Sequence, residues 1–191
     1  MASLGEKEWR EHAELIGQVT LGWNQTVFQV LRIFVHLTGI GSPLADAIFF
    51  SHQSDRGQRN LVKKTAEAVG LVDEDMKKLK ALMDRLDKIA TQRNLATHTI
   101  FGLSMFDPRT DQWGPTVVPA LSPAPDKRLN EDFTTQFRDL ESDLGAIHRD
   151  LDHWVIHTQF PKRGWGTPPF VGNMPGHFPV PSGPELNDLD V

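Results

Sequence analysis

Cysteine is absent from the 191 residues of this chain. Its absence excludes disulfide bonds and thiolate chemistry from any account of stability or function. A chain without disulfides is most simply placed in the cytoplasm, and a cytoplasmic localisation is what we expect. The remaining composition, with 39% hydrophobic and 24% charged residues, is ordinary for one globular domain with appendages.

Long apolar runs and a hydrophobic leader are also missing. The segment from Met1 to Glu14 is polar and charged, so the sequence predicts no signal peptide there. No apolar run approaches the roughly 20 residues that a membrane-spanning helix requires. We therefore expect no membrane contact.

Positive charge is scarce in the chain as a whole, which has a formal net charge of -5. This balance argues against tight, non-specific binding of nucleic acid by the whole surface. Residues 56–93 nevertheless contain ten Arg and Lys against six Asp and Glu, a local balance of +4, so the rest carries -9. Two interpretations stay open: a solvated helical surface, which is favoured, and a face that binds RNA.

Apolar residues at three- and four-residue spacing predict an all-α fold, a bundle of four to five helices. The first helix is expected from near Glu6 to Thr38, where the run Gly39–Pro43 stops it. Further helical segments are predicted from Pro43, from the Ser54-Asp55 cap to Val69, from Asp73 to His98, and from Asn130 to His157.

A small β-hairpin is predicted after the third long helix. Residues 100–106 and 113–118 have the composition of two strands around a turn. We expect residues 1–158 to form the helical bundle domain, with the hairpin inserted at about 99–121. Residues 159–191 contain seven Pro and five Gly, which predicts an extended, irregular C-terminal arm.

The candidate functional residues lie at the end of the third long helix. The apolar stripe of that helix centres on Leu86, and Arg93 falls seven residues later, within roughly 20° of this centre. A guanidinium thus stands where another Leu is expected. Asn94 and His98 are neighbours on a continuing helix, being four residues apart. Arg93 and His98 are separated by roughly 140°, so they meet only if the helix ends near Thr97 or a second subunit contributes a copy.

The pattern Arg93-Asn94-x-x-x-His98 resembles the motif of the HEPN superfamily, an Arg followed after four to six residues by His. The stretches Ala47–Ser51, Ser54–Arg56 and Leu61-Val62 also resemble uncharacterised bacterial proteins with this motif, so the likeness covers roughly residues 22–102. Thr99 departs from the pattern, because such proteins commonly have Gly directly after the His. The resemblance implies a bundle of four to five helices, usually dimeric. Many members are metal-independent ribonucleases, and others are non-catalytic.

Two functions from different classes stay open. In the favoured one, the chain is a non-catalytic interaction or regulatory module, and Arg93 pairs with a carboxylate of another helix. The acidic net charge and Thr99 favour this interpretation. In the alternative, the chain is a metal-independent endoribonuclease. His98 would then activate the ribose 2′-hydroxyl and Arg93, beside Asn94, would stabilise the phosphorane.

The sequence predicts no cofactor and no metal site. His153 and His157 lie four residues apart, but two ligands on an exposed helix face are too few. The expected partners are a second copy of the chain, and RNA or another protein. A homodimer is expected because the long first helix and the apolar residues of the C-terminal arm exceed what one subunit can bury.

Overall fold

The computed structural model describes residues 5–120 and 131–159 of the chain. Within them lie five α-helices, one antiparallel pair of strands and a final π-helical turn. The elements are α1 (Glu6–Thr38), α2 (Ser42–Ser51), α3 (Asp55–Ala68), α4 (Asp73–His98), β1 (Phe101–Asp107), β2 (Gln112–Pro119), α5 (Phe133–His153) and the π-helical turn (Trp154–Gln159). The predicted all-α class is confirmed, with the β-hairpin directly after α4, the third long helix. The predicted C-terminal arm, apart from Gln159, lies outside the described residues.

Helix α1 is the element on which the others pack, since it contacts α2, α3, α4, α5 and strand β2. Its buried apolar residues recur at three- and four-residue spacing along one side, and they include Leu15, Val19, Trp23, Val30, Phe34 and Leu37. Gly39 ends the helix in the left-handed region at φ 68°, where its N–H donates to the carbonyl of Val35. Glycine adopts this conformation without the strain that most side chains incur, so the stop predicted at Gly39 has a backbone cause.

A serine cap fixes the start of α3. The Ser54 Oγ accepts a hydrogen bond from the N–H of Gly57 at 3.1 Å, as the sequence pattern predicted. The cap makes Asp55 the first residue of α3, where a negative charge is favoured by the helix dipole. The Asp55 carboxylate thereby lies within reach of α4.

No single helix in residues 5–120 and 131–159 has both the length and the apolar character to cross a membrane. Helices α1 and α2 reach those limits only when they are taken together, and they are bent by 119° at the break between them.

The hairpin extends from Phe101 opposite Pro119 to Asp107 opposite Gln112. Arg109 closes its turn, because the guanidinium donates to the Asp107 carboxylate at 2.8 Å. This contact holds the pKa of Asp107 below its usual range, chiefly through the side-chain hydrogen bond. The hairpin contacts α1 through β2, and residues around its turn share a cavity with the first turns of that helix.

A polar seam joins α1 to α5 near the end of α1. The Arg32 Nη1 donates to the Asp152 Oδ1 and to the Gln29 Oε1, each at 2.7 Å. Gln29 therefore presents its amide nitrogen to the His148 Nε2 at 3.2 Å, which makes that ring nitrogen an acceptor. Burial lowers the pKa of His148, although the nearby Asp152 acts in the opposite direction. The hydrogen bond from Gln29 and the burial of the ring both favour the neutral form of His148.

His12 lies inside an aromatic cluster between α1, the hairpin and α5. The side chain is 5% exposed, and its ring centroid is 4.3 Å from that of Phe101 and 5.6 Å from that of Phe137. Neither ring nitrogen has a hydrogen-bond partner among the residues that the structure describes. Burial lowers the pKa of His12, since a charged imidazolium is disfavoured where the ring is shielded from water.

His12 and His148 together predict a loss of stability on mild acidification. In the unfolded state each imidazole binds a proton below its ordinary pKa of 6.5, whereas both stay neutral to lower pH in the folded state. The unfolded state then holds more protons, so the free energy of unfolding falls as the pH drops from about 7.5 to about 5.5. His12→Phe should weaken this dependence and raise stability at neutral pH by about 1 kcal/mol, because two unsatisfied nitrogens disappear. Urea unfolding across this pH range measures both effects.

His52→Ala is the matched control, because His52 is exposed. It should change the free energy of unfolding at neutral pH by less than about 0.5 kcal/mol. A His12→Phe variant with the pH dependence and the stability of the wild type would contradict this account of the His12 environment.

Candidate functional site

Arg93 forms an ion pair between α4 and α3. Its Nη2 donates to the Asp55 Oδ2 at 2.9 Å, and the two side chains are 19% and 34% exposed. The carboxylate on another helix that the sequence analysis favoured for Arg93 is therefore Asp55. Because Asp55 is partly open to solvent, this pair is not the fully buried one that a guanidinium on the apolar stripe implied.

The indole of Trp23 completes the surroundings of Arg93. The Arg93 Cζ lies 4.8 Å from the centre of the Trp23 ring, within the range of a cation–π contact. Trp23 comes from α1 and is buried, so three helices meet at this guanidinium. The Arg93 Nε is enclosed and has no hydrogen-bond partner among the described residues.

A second arginine contacts the same indole. The Arg59 Cζ of α3 lies 5.9 Å from the centre of the Trp23 ring. Both Nε and Nη2 of Arg59 donate to one carboxylate oxygen of Asp87 in α4, at 2.9 and 2.6 Å. The two ion pairs are crossed, since each of α3 and α4 supplies one Arg and one Asp. We call these four residues and Trp23 the guanidinium–indole cluster.

Sequence reasoning missed Arg59, although a signal was present. Arg59, Val62 and Ala66 are all buried on α3 and lie at three- and four-residue spacing, so Arg59 occupies the apolar stripe of its helix. This is the pattern that identified Arg93 on α4. When the same pattern is sought on α3 as well as on α4, it identifies both Arg59 and Arg93.

Asn94 and His98 are exposed and lie one turn apart on α4. The Asn94 Oδ1 accepts a hydrogen bond from the Arg93 Nη1 at 3.1 Å. The helix continues through His98 to its cap at Thr99, where the N–H donates to the carbonyl of Leu95 at 3.1 Å. His98 therefore lies about 140° around the axis from Arg93. The structure brings Arg93 and Asn94 together, and it places His98 uncovered on another side of the same helix.

The basic segment 56–93 uses much of its charge within the bundle. Six of its ten cations form ion pairs: Arg59, Lys64, Lys78, Lys80, Arg85 and Arg93. Among these, the Arg85 Nη1 reaches the Asp150 Oδ2 of α5 at 2.6 Å. Cations that are paired within the chain are less available to phosphate groups. The charge excess thus agrees better with a solvated and internally paired surface than with a dedicated RNA-binding face.

Metal binding finds no ready set of ligands in the part of the chain that the structure describes. No group of three or more His, Cys, Asp or Glu side chains suited to a metal ion occurs there. The side chain of His157, one member of the histidine pair on α5 and the turn that follows it, lies outside the described residues.

Comparisons of the chain with protein-family models, with curated proteins and with solved structures found no match. The likeness to the HEPN superfamily therefore depends on the motif and its helical setting, and it stays a prediction.

The guanidinium–indole cluster predicts unequal costs for removing its two arginines. Arg93→Ala should lower the free energy of unfolding by about 1–2 kcal/mol, the sum of a cation–π contact and a partly exposed ion pair. Arg59→Ala should lower the free energy of unfolding by more, about 2–3 kcal/mol, because it removes a buried guanidinium together with two charge-assisted hydrogen bonds to Asp87. Urea unfolding of both variants tests the order.

Lys64→Ala serves as the control on α3, because the Lys64 side chain is exposed and its ion pair with Glu67 lies on the surface. It should change stability by less than about 0.5 kcal/mol. If Arg93→Ala unfolds like the wild type, the assignment of Arg93 to an interhelical ion pair is wrong.

Proposed function

We propose that this chain is a HEPN-like, non-catalytic interaction module that assembles as a homodimer. The observation that carries the proposal is the engagement of Arg93. Its guanidinium already contacts Asp55, Asn94 and the face of Trp23. Because Arg93 connects α1, α3 and α4, its main role is structural.

A catalytic role would make different demands on Arg93. A guanidinium that stabilises a phosphorane needs free N–H groups that point to the place where the phosphate oxygens bind. In Arg93 the Nε is enclosed, and each terminal nitrogen already donates one hydrogen bond within the chain. The neighbouring carboxylate of Asp55 also opposes the approach of an anionic phosphate.

The exposed side of α1 supports a second copy of this chain as the partner. Leu21 and Phe28 are 64% and 47% exposed and lie seven residues apart, so they share one side of the helix. Gly17 lies within about 40° of both, and a Cβ added there meets no atom within 4 Å. Two copies related by a twofold axis would bring the open backbone at Gly17 against a large apolar side chain of the other copy. Two large apolar side chains exposed on one side of a helix favour an interaction surface there.

The dimer predicts a mass of twice 21.5 kDa for the wild type by light scattering at micromolar concentration. Leu21→Glu should shift the mass to that of one chain, because the charge would be buried in the interface. Thr20→Glu is the control, since Thr20 is exposed but lies about 100° from Leu21 around the axis of α1. A wild type that stays monomeric throughout this range would contradict the homodimer.

A second candidate function is the metal-independent endoribonuclease. The specific observation in its favour is that Asn94 and His98 are both exposed, one turn apart. In this reaction His98 takes the proton of the ribose 2′-hydroxyl, and the oxygen attacks the adjacent phosphorus. The bond from phosphorus to the 5′-oxygen breaks, and the 5′-oxygen leaves as a hydroxyl with a proton from water. Arg93 stabilises the charge of the phosphorane, which requires that its contact with Asp55 loosens or that Arg93 of a second copy contributes.

Cleavage of single-stranded RNA, with and without EDTA, separates the two functions. We expect the wild type to be inert toward a range of sequences, and His98→Ala to change nothing. Cleavage that resists EDTA and is lost in both His98→Ala and Arg93→Ala would instead establish the ribonuclease. His52→Ala is the control for a contaminating nuclease, because it removes a different exposed histidine.

A further inference from the structure

A cavity of about 350 Å³ opens between the first turns of α1, the hairpin and the first turn of α5. Glu8, Glu11 and His12 of α1 form one side, Arg109 and Trp113 of the hairpin form the other, and α5 contributes Thr134. Arg93, Asn94 and His98 are not among its lining residues. The volume is within the range of small-ligand sites, which are typically about 300–1,000 Å³.

The inner wall of this cavity contains the unsatisfied imidazole. His12 is 5% exposed, and both of its ring nitrogens lack a partner among the described residues. A buried polar group without a hydrogen bond usually costs about 1–3 kcal/mol and calls for an explanation. Both nitrogens are enclosed, and His12 lines the cavity, so a polar group of a ligand would supply the missing partner once the imidazole turns toward the cavity. Because burial holds His12 neutral, one ring nitrogen is an acceptor for an N–H donor.

The charge around the cavity is negative. Glu8 and Glu11 form no ion pair or side-chain hydrogen bond in the part of the chain that the structure describes. The positive charge of Arg109 is already matched by Asp107 at 2.8 Å and by Asp132 at 3.5 Å. Among the described residues that line the cavity, the carboxylates of Glu8 and Glu11 therefore remain without a paired cation, and they favour a cation over an anion.

An aromatic ring stands at the same cavity. Trp113 is 84% exposed, which is unusual for the largest apolar side chain. Its ring centroid lies 5.6 Å from that of Phe106, which holds it edge-on against the hairpin. An indole ring with an open face attracts ammonium and guanidinium groups.

From these contacts we propose that the cavity binds a small organic cation through a primary ammonium or guanidinium group. The carboxylates of Glu8 and Glu11 accept hydrogen bonds from the cation, and the indole of Trp113 covers it. His12 accepts a further N–H after its ring turns toward the cavity. The site is separate from the guanidinium–indole cluster and does not depend on the proposed function.

Isothermal titration with two probes tests the site in the full chain. The probes are agmatine, a free guanidino amine, and N-acetyl-arginine methylamide, which represents an arginine of a peptide. We expect saturable binding of at least one, and none of the dianion glutarate. Binding of agmatine alone assigns the site to a free amine, and binding of the capped arginine alone assigns it to a protein side chain.

Three variants separate a built site from general charge attraction. Glu11→Gln should weaken binding about tenfold, because one charge-assisted contact is lost. Trp113→Ala should weaken it about fivefold, which corresponds to one cation–π contact. His12→Phe should bind more weakly although it should be the more stable protein, so a folding defect cannot account for its loss of affinity.

Glu14→Gln is the matched control. Glu14 lies one turn beyond Glu11 on α1, is exposed and does not line the cavity. It should bind like the wild type. The proposal is overturned if neither probe binds at millimolar concentration, or if Glu14→Gln and Glu11→Gln weaken binding equally.

Discussion

Two guanidinium groups against one indole ring hold the first, third and fourth helices in register. Arg59 and Arg93 both lie over Trp23, and their carboxylate partners Asp87 and Asp55 come from the opposite helix of the pair. The five side chains have no net charge, so the bundle can enclose two cations without leaving either uncompensated. Arginine suits this position because its planar group stacks on an aromatic face while its edge donates hydrogen bonds. Lysine offers a point charge and lacks this geometry.

This cluster also determines what α4 presents to solvent. Once Arg93 is fixed toward Trp23, the helical repeat directs Asn94 and His98 to other sides of the helix. The exposure of His98 thus follows from the same contact that keeps Arg93 in the bundle. The exposed His98, which resembles part of a catalytic motif, and the ion-paired Arg93 therefore both follow from the orientation of α4 about its axis.

The sequence predicted the helices, the hairpin and an interhelical carboxylate for Arg93, because each leaves a local pattern of spacing or composition. It could not identify Asp55 as that carboxylate, since the two residues are 38 positions apart and only packing brings them together. The cavity escaped sequence analysis for the same reason. Its walls come from the beginning of α1, the hairpin and the start of α5, and none of these carries a recognisable motif alone. Exposure of Trp113 is likewise a property of the folded surface.

The seam between α1 and α5 has a consequence for the entropy of folding. Arg32 and Asp152 are 120 residues apart, whereas Arg59 and Asp87 are 28 apart. Closing a chain loop costs entropy that grows only with the logarithm of its length, so the longer closure costs about 1.3 kcal/mol more. That difference is similar to the contribution of one or two partly exposed ion pairs. Helix α5 can therefore dock on α1, across 120 residues of chain, for little more free energy than neighbouring helices need to pair.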